Sequence, residues 1–72
     1  MTEQFDASAV KIIEIMGVST EGFEDAIGHA VAKAAESING ITSIEVVRQG
    51  ATIREGSVAR YEVTVKLSFT VR

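Results

Sequence analysis

His29 is the sole imidazole of this chain and cysteine is absent, so nucleophilic and metal chemistry have few possible carriers. A Cys/His metal cage cannot be assembled from one histidine. The carboxylate at helical spacing from His29 is Asp25, four residues earlier, a pairing that suits a helix-surface or interface histidine better than a general base. With no nucleophile constellation, the chain reads as non-enzymatic. Gly17-Val-Ser-Thr-Glu-Gly22 precedes a helix as a phosphate loop would, yet it has neither the Gly-x-Gly-x-x-Gly spacing nor the Walker lysine, and it reads as a helix cap. Carboxylate chemistry remains: Glu45 and Glu62 are the candidates for a Ca²⁺ or Mg²⁺ site, because oxygen ligands from symmetry-related copies can converge on an axis. Arg48, Arg54, Arg60 and Lys66 are interspersed with Glu45, Glu55 and Glu62. Cross-strand or intersubunit ion pairs account for that pattern better than an anion site does.

The elements that must position these groups follow from periodicity. Met1 to Ala9 has no clear period and reads as an N-terminal extension, residues 1–9, with Phe5 its one large apolar side chain, ahead of a single domain over 10–72. Val10 to Met16 is rich in β-branched residues and suits a first strand ending at Gly17. Ser19 and Thr20 are N-cap candidates, and Glu21, Glu24 and Asp25 put negative charge where a helix dipole favours it. Phe23, Ala26, Ile27, Ala30, Val31, Ala34 and Ile38 then recur every three or four residues, predicting a helix of about 19 residues ended by Asn39-Gly40. Thr42 to Ile53 and Val58 to Val71 flank the polar loop Arg54-Glu55-Gly56-Ser57 and predict an antiparallel hairpin. From Ala59 to Val71 apolar and polar residues alternate without exception, so Tyr61, Val63, Val65, Leu67 and Phe69 face a core while Arg60, Glu62 and Thr64 face outward. By the same parity Ser43, Glu45 and Val47 point outward on the preceding strand. The predicted class is α+β, a β-α-β-β chain with a three-stranded antiparallel sheet partly wrapping one helix.

Size and charge limit the functions open to this fold. A domain of 72 residues without cysteine has a marginal core of its own. The last strand spans roughly 40 Å against roughly 28 Å for the predicted helix, leaving apolar strand uncovered. Self-assembly is therefore expected. The formal charge of −3 and the lack of a Lys/Arg cluster argue against nucleic-acid binding. No run reaches the ~18 apolar residues of a membrane span, and the first residues lack a secretion signal, so no membrane association and a cytoplasmic location are expected.

Order and spacing become specific in three stretches: Met16-Gly-Val-Ser-Thr-Glu-Gly-Phe23 leading into an alanine-rich helix, Ile44-Glu-Val-Val47, and Gly56-Ser-Val-Ala-Arg-Tyr-Glu-Val-Thr-Val-Lys-Leu-Ser-Phe69. Together they resemble the dodecins over about Val10 to Val71. The resemblance implies a hollow homododecamer built from trimers. It implies a storage or sequestering protein that holds a flavin (riboflavin, FMN or FAD) between subunits without catalysis. In that family a tryptophan early in the second strand stacks on the flavin and a glutamine in the third hydrogen-bonds it. The corresponding positions here are Ser43 and Glu62, within a ligand surface of Ser43, Glu45, Val47 and Glu62. Ser43 offers no aromatic face, and the chain has no tryptophan. An ionised Glu62 only accepts hydrogen bonds, where an amide both donates and accepts. Phe5 is a possible substitute for stacking. The alternative is a flavin-free shell that binds a divalent cation, calcium or magnesium, through Glu45 and Glu62, or that serves assembly alone.

Overall fold

The computed structural model describes residues 9–71, and the chain forms β1 (Ala9–Ser19), α1 (Phe23–Ala35), β2 (Ile41–Arg54) and β3 (Ser57–Val71) in that order. The sheet is antiparallel with strand order β1-β3-β2, so the long last strand is central and both other strands are edges. This is the expected β-α-β-β architecture. β1 begins at Ala9, one residue inside the stretch read as an extension. The rest of that stretch, residues 1–8 with Phe5, lies outside the described residues.

The alternation in β3 sorts its side chains as expected. Val63, Val65 and Leu67 are fully buried and meet Ala26, Ala30 and Ala34 of α1, with Ile13, Ile15, Phe23, Ile27, Val31, Ile38 and Ile41 packed around them. Methyl side chains on the helix let its backbone come close to the sheet. Closest approach is at Gly17, where an added Cβ would stand 2.0 Å from the Ala26 carbonyl oxygen and 2.9 Å from the Ala30 Cβ. Gly17 therefore does not end the first strand. It lies inside β1, which runs on to Ser19, and is the point over which the helix crosses.

The helix has 13 residues instead of about 19. Gly22, immediately before it, has extended backbone (φ 166°, ψ 175°) and contributes no side-chain cap. Ser19 supplies its hydroxyl earlier, accepting from the Glu21 amide at 2.8 Å and the Gly22 amide at 3.4 Å, so it closes the turn that enters the helix instead of capping the helix itself. At the other end the Glu36 amide bonds back to the Lys33 carbonyl, and the Ser37 and Ile38 amides share the Ala34 carbonyl. Ile38 thus reaches the core from a turn beyond the helix, and the expected apolar stripe survives although the helix is shorter.

The hairpin loop is tighter than expected. Arg54 pairs with Ser57, and the two residues between them have φ of 53° (Glu55) and 80° (Gly56), the paired positive dihedrals of a type I′ turn. Thirteen helical residues span about 20 Å, whereas the 15 of β3 span about 50 Å. α1 packs on β1 and β3, and Ile44 and Val46 of β2, on the sheet face that carries the helix, stay 37% and 43% exposed.

Candidate functional site

The sheet face opposite the helix holds Ser43, Glu45 and Glu62, and the pairing register arranges it as rows across β1, β3 and β2. Glu14, Lys66 and Glu45 form one row; Met16, Thr64 and Arg48 another; Val18, Glu62 and Gly50 the next. Ser43 shares its row with Ile12 and Ser68. Ser68, the partner of Ser43, lies six positions along β3 from Glu62, about 20 Å of strand. The two positions do not meet within one subunit, so a common site needs a second copy.

Simple alternation places Ser43 and Glu45 but fails beyond them. A bulge between Val46 and Arg48 shifts the register, and Arg48, not Val47, pairs with Thr64. Val47 is the extra residue, 47% exposed. With the register moved by one, Gly50 and Thr52 stand opposite Glu62 and Arg60. Thr52 donates its hydroxyl hydrogen to Oε2 of Glu62 at 2.6 Å, and Nε of Arg60 donates to the same oxygen at 2.9 Å. The Glu62 side chain is 14% exposed. The Thr52 hydroxyl and the Arg60 guanidinium hold its carboxyl below the usual carboxylate range against the opposing effect of desolvation, with smaller attractions from the charges of Arg60 and Arg48. Glu62 is therefore an anion at neutral pH, engaged on its own strand and across to β2. Opposite it Gly50 has no side chain, and the Arg48 guanidinium lies over it, its Nη2 3.3 Å from where a Cβ would be.

Ser19, Asp25 and His29 do come together, in an order unsuited to nucleophilic catalysis. Ser19 Oγ donates to Asp25 Oδ2 at 2.7 Å, and His29 Nε2 stands 3.4 Å from that same oxygen. His29 Nδ1 lies 2.8 Å from the Val18 carbonyl, which only accepts, so this nitrogen carries a proton. Aspartate sits between serine and histidine, leaving the hydroxyl without a base to receive its proton. His29 fastens α1 to β1. Among the described residues no three His, Cys, Asp or Glu side chains are grouped to hold a metal ion, and no helix is long and apolar enough to cross a membrane.

Comparison with known proteins gives a consistent pattern. The family described as Dodecin matches residues 9–72. A dodecin from Thermus thermophilus is 36% identical over 82% of this chain and 86% of its own length. The structure of dodecin from Streptomyces coelicolor superposes with a TM-score of 0.89 at 27% identity, covering 93% of this chain and 96% of that one. The calcium dodecin of Mycobacterium tuberculosis, whose crystal structure is described as having a novel calcium-binding site, gives 0.80 at 30% identity over 90% and 93% of the two chains.

Proposed function

The chain belongs to the dodecin family, and on that premise we propose that it is a non-catalytic subunit of a hollow homododecamer that holds a small ligand between subunits, on the outward face of β2 and β3. The observation that carries this reading is the surface α1 leaves uncovered. Val10, Ile12, Met16 and Val18 on one side of the sheet, and Ile44 and Val46 on the other, are all at least 36% exposed. A subunit of 72 residues cannot keep that much apolar strand in water without pairing or packing against copies of itself.

Flavin, as riboflavin, FMN or FAD, is the first ligand to test. The row of Ser43, Ile12 and Ser68 offers it apolar contact but no ring to stack on. Glu62 presents an ionised acceptor, with the Arg60 guanidinium as the donor beside it. A second reading, a Ca²⁺ or Mg²⁺ site completed by several subunits, is favoured by the similarity to calcium dodecin and by the exposed row in which Glu14 and Glu45 flank Lys66. Glu45 is then the better ligand, because Glu62 is already engaged by Arg60 and Thr52.

Fluorescence titration of micromolar riboflavin, FMN and FAD, with calorimetry of Ca²⁺, separates the two. Saturable quenching supports flavin. Unquenched flavin together with a saturable Ca²⁺ heat that disappears in Glu45→Gln supports the cation. Absence of both overturns ligand binding and leaves a shell that serves assembly alone.

A further inference from the structure

The group of Ser19, Asp25 and His29 that joins α1 to β1 shares no side chain with the outward ligand surface, and it has chemistry of its own. His29 Nδ1 lies 2.8 Å from the Val18 carbonyl and carries the proton between them, so the neutral ring leaves Nε2 with a bare lone pair. Nε2 stands 3.4 Å from Oδ2 of Asp25, an oxygen that already accepts from the Ser19 hydroxyl at 2.7 Å. Two acceptors thus face each other, and only an electropositive atom can bridge them. A proton is the simpler bridge, but a charge-assisted N–H···O bond closes to about 2.7–2.9 Å. Two ligand atoms each about 2.0–2.1 Å from a tetrahedral Zn²⁺ stand about 3.3–3.4 Å apart. The observed separation matches the metal.

We propose that His29 Nε2 and Asp25 Oδ2 form a binding site for a borderline transition-metal dication, Zn²⁺ foremost. An imidazole nitrogen beside a carboxylate oxygen suits Zn²⁺, whereas Ca²⁺ takes about six to eight oxygens. The spacing of four residues along α1 is the one that sets two ligands of a zinc site on one helix face. Both ligands also have the outer partners that orient metal-binding side chains. The Val18 carbonyl fixes the tautomer and plane of the ring, and the buried Ser19 hydroxyl directs the carboxylate. The His29 and Asp25 side chains are 60% and 47% exposed, so the remaining coordination positions open to water. Lys33, four residues further along α1, has Glu36 at 3.6 Å, which offsets its repulsion of a cation.

Calorimetry of the assembled full-length protein with Zn²⁺ tests it. A saturable heat is expected that survives in Glu45→Gln. Affinity should fall at least about tenfold in His29→Gln and in Asp25→Asn, since losing an outer partner alone typically costs ~10–100-fold. His29 also holds α1 to β1, so melting temperature and assembly mass of each variant separate lost binding from lost structure. Cu²⁺, which binds such sites more tightly, gives a second readout on the native protein alone. Its electron paramagnetic resonance should show coupling to one imidazole nitrogen, and His29 is the sole imidazole. No saturable Zn²⁺ heat, affinity undiminished in His29→Gln or Asp25→Asn, or bound Cu²⁺ without imidazole coupling would each overturn the proposal. So would a Zn²⁺ heat that vanishes in Glu45→Gln, a result that would leave the cation reading of the outward face standing.

Discussion

Glu62 has the most consequential chemistry of any single side chain here, and part of it was legible in the sequence. Alternation along β3 put it on the outward face, where it lies, but nothing in the chain announced Thr52 as its partner. That partnership depends on the bulge at Val46–Arg48, which brings Thr52 opposite Arg60. Adjacent apolar residues Val46 and Val47 were the one local hint, since strict alternation admits only one of them on each face. Because Glu62 titrates below the ordinary value of 4.5 in the folded chain, its ionised form stabilises the fold. That contribution is complete above the unfolded pKa and is lost as pH falls through the lower folded value. Glu62→Gln should therefore melt below the native protein at neutral pH, and the gap should close as pH drops below 4.5. Melting curves of both proteins across that range check the sign. A gap that widened in acid would mean that the carboxylate is not held by Thr52 and Arg60.

Among the elements, the helix stripe, the hairpin and the inward face of β3 were readable because each repeats a period over many residues. Gly17 was not. A glycine at the end of a β-branched run looks like a stop, and only the position of α1 reveals that it is the crossing point of helix over strand. Gly17→Ala would force its Cβ into the Ala26 carbonyl, and a loss of at least about 1–3 kcal/mol is expected from overpacking against backbone. Gly28→Ala is the contrasting change. Nothing lies within 4 Å of a Cβ there, the residue is exposed within α1, and alanine should stabilise the helix by up to about 1 kcal/mol. Thermal unfolding of the two variants at one protein concentration should move in opposite directions. Equal shifts would contradict the crossing-point role of Gly17. The helix ends escaped sequence reading for a similar reason: Ser19 has the composition of a cap, but its hydroxyl is spent on the turn before Gly22.

As a whole, the molecule is long and thin. Its radius of gyration is 15.3 Å and its extents are 56 × 21 × 15 Å, against about 11 Å for a compact domain of 72 residues. The mismatch between helix and strand anticipated from the sequence is larger in the structure, because the helix is shorter and the strand longer. The uncovered apolar strand calls for partners, which the proposed dodecamer would supply. Val46 continues across β2 the row of Ile15 and the fully buried Val65, yet α1 does not reach it. Val46→Glu should therefore abolish the assembled species, read by gel filtration, while a conservative Val46→Ile leaves it intact; an assembled Val46→Glu shell would move the interface elsewhere. The central claim is that this fold is completed only by copies of itself, and native mass spectrometry of the purified protein tests it most directly. The expected species is a dodecamer near 92 kDa, twelve times the 7.7 kDa chain. A folded species at 7.7 kDa, stable without partners, would contradict it.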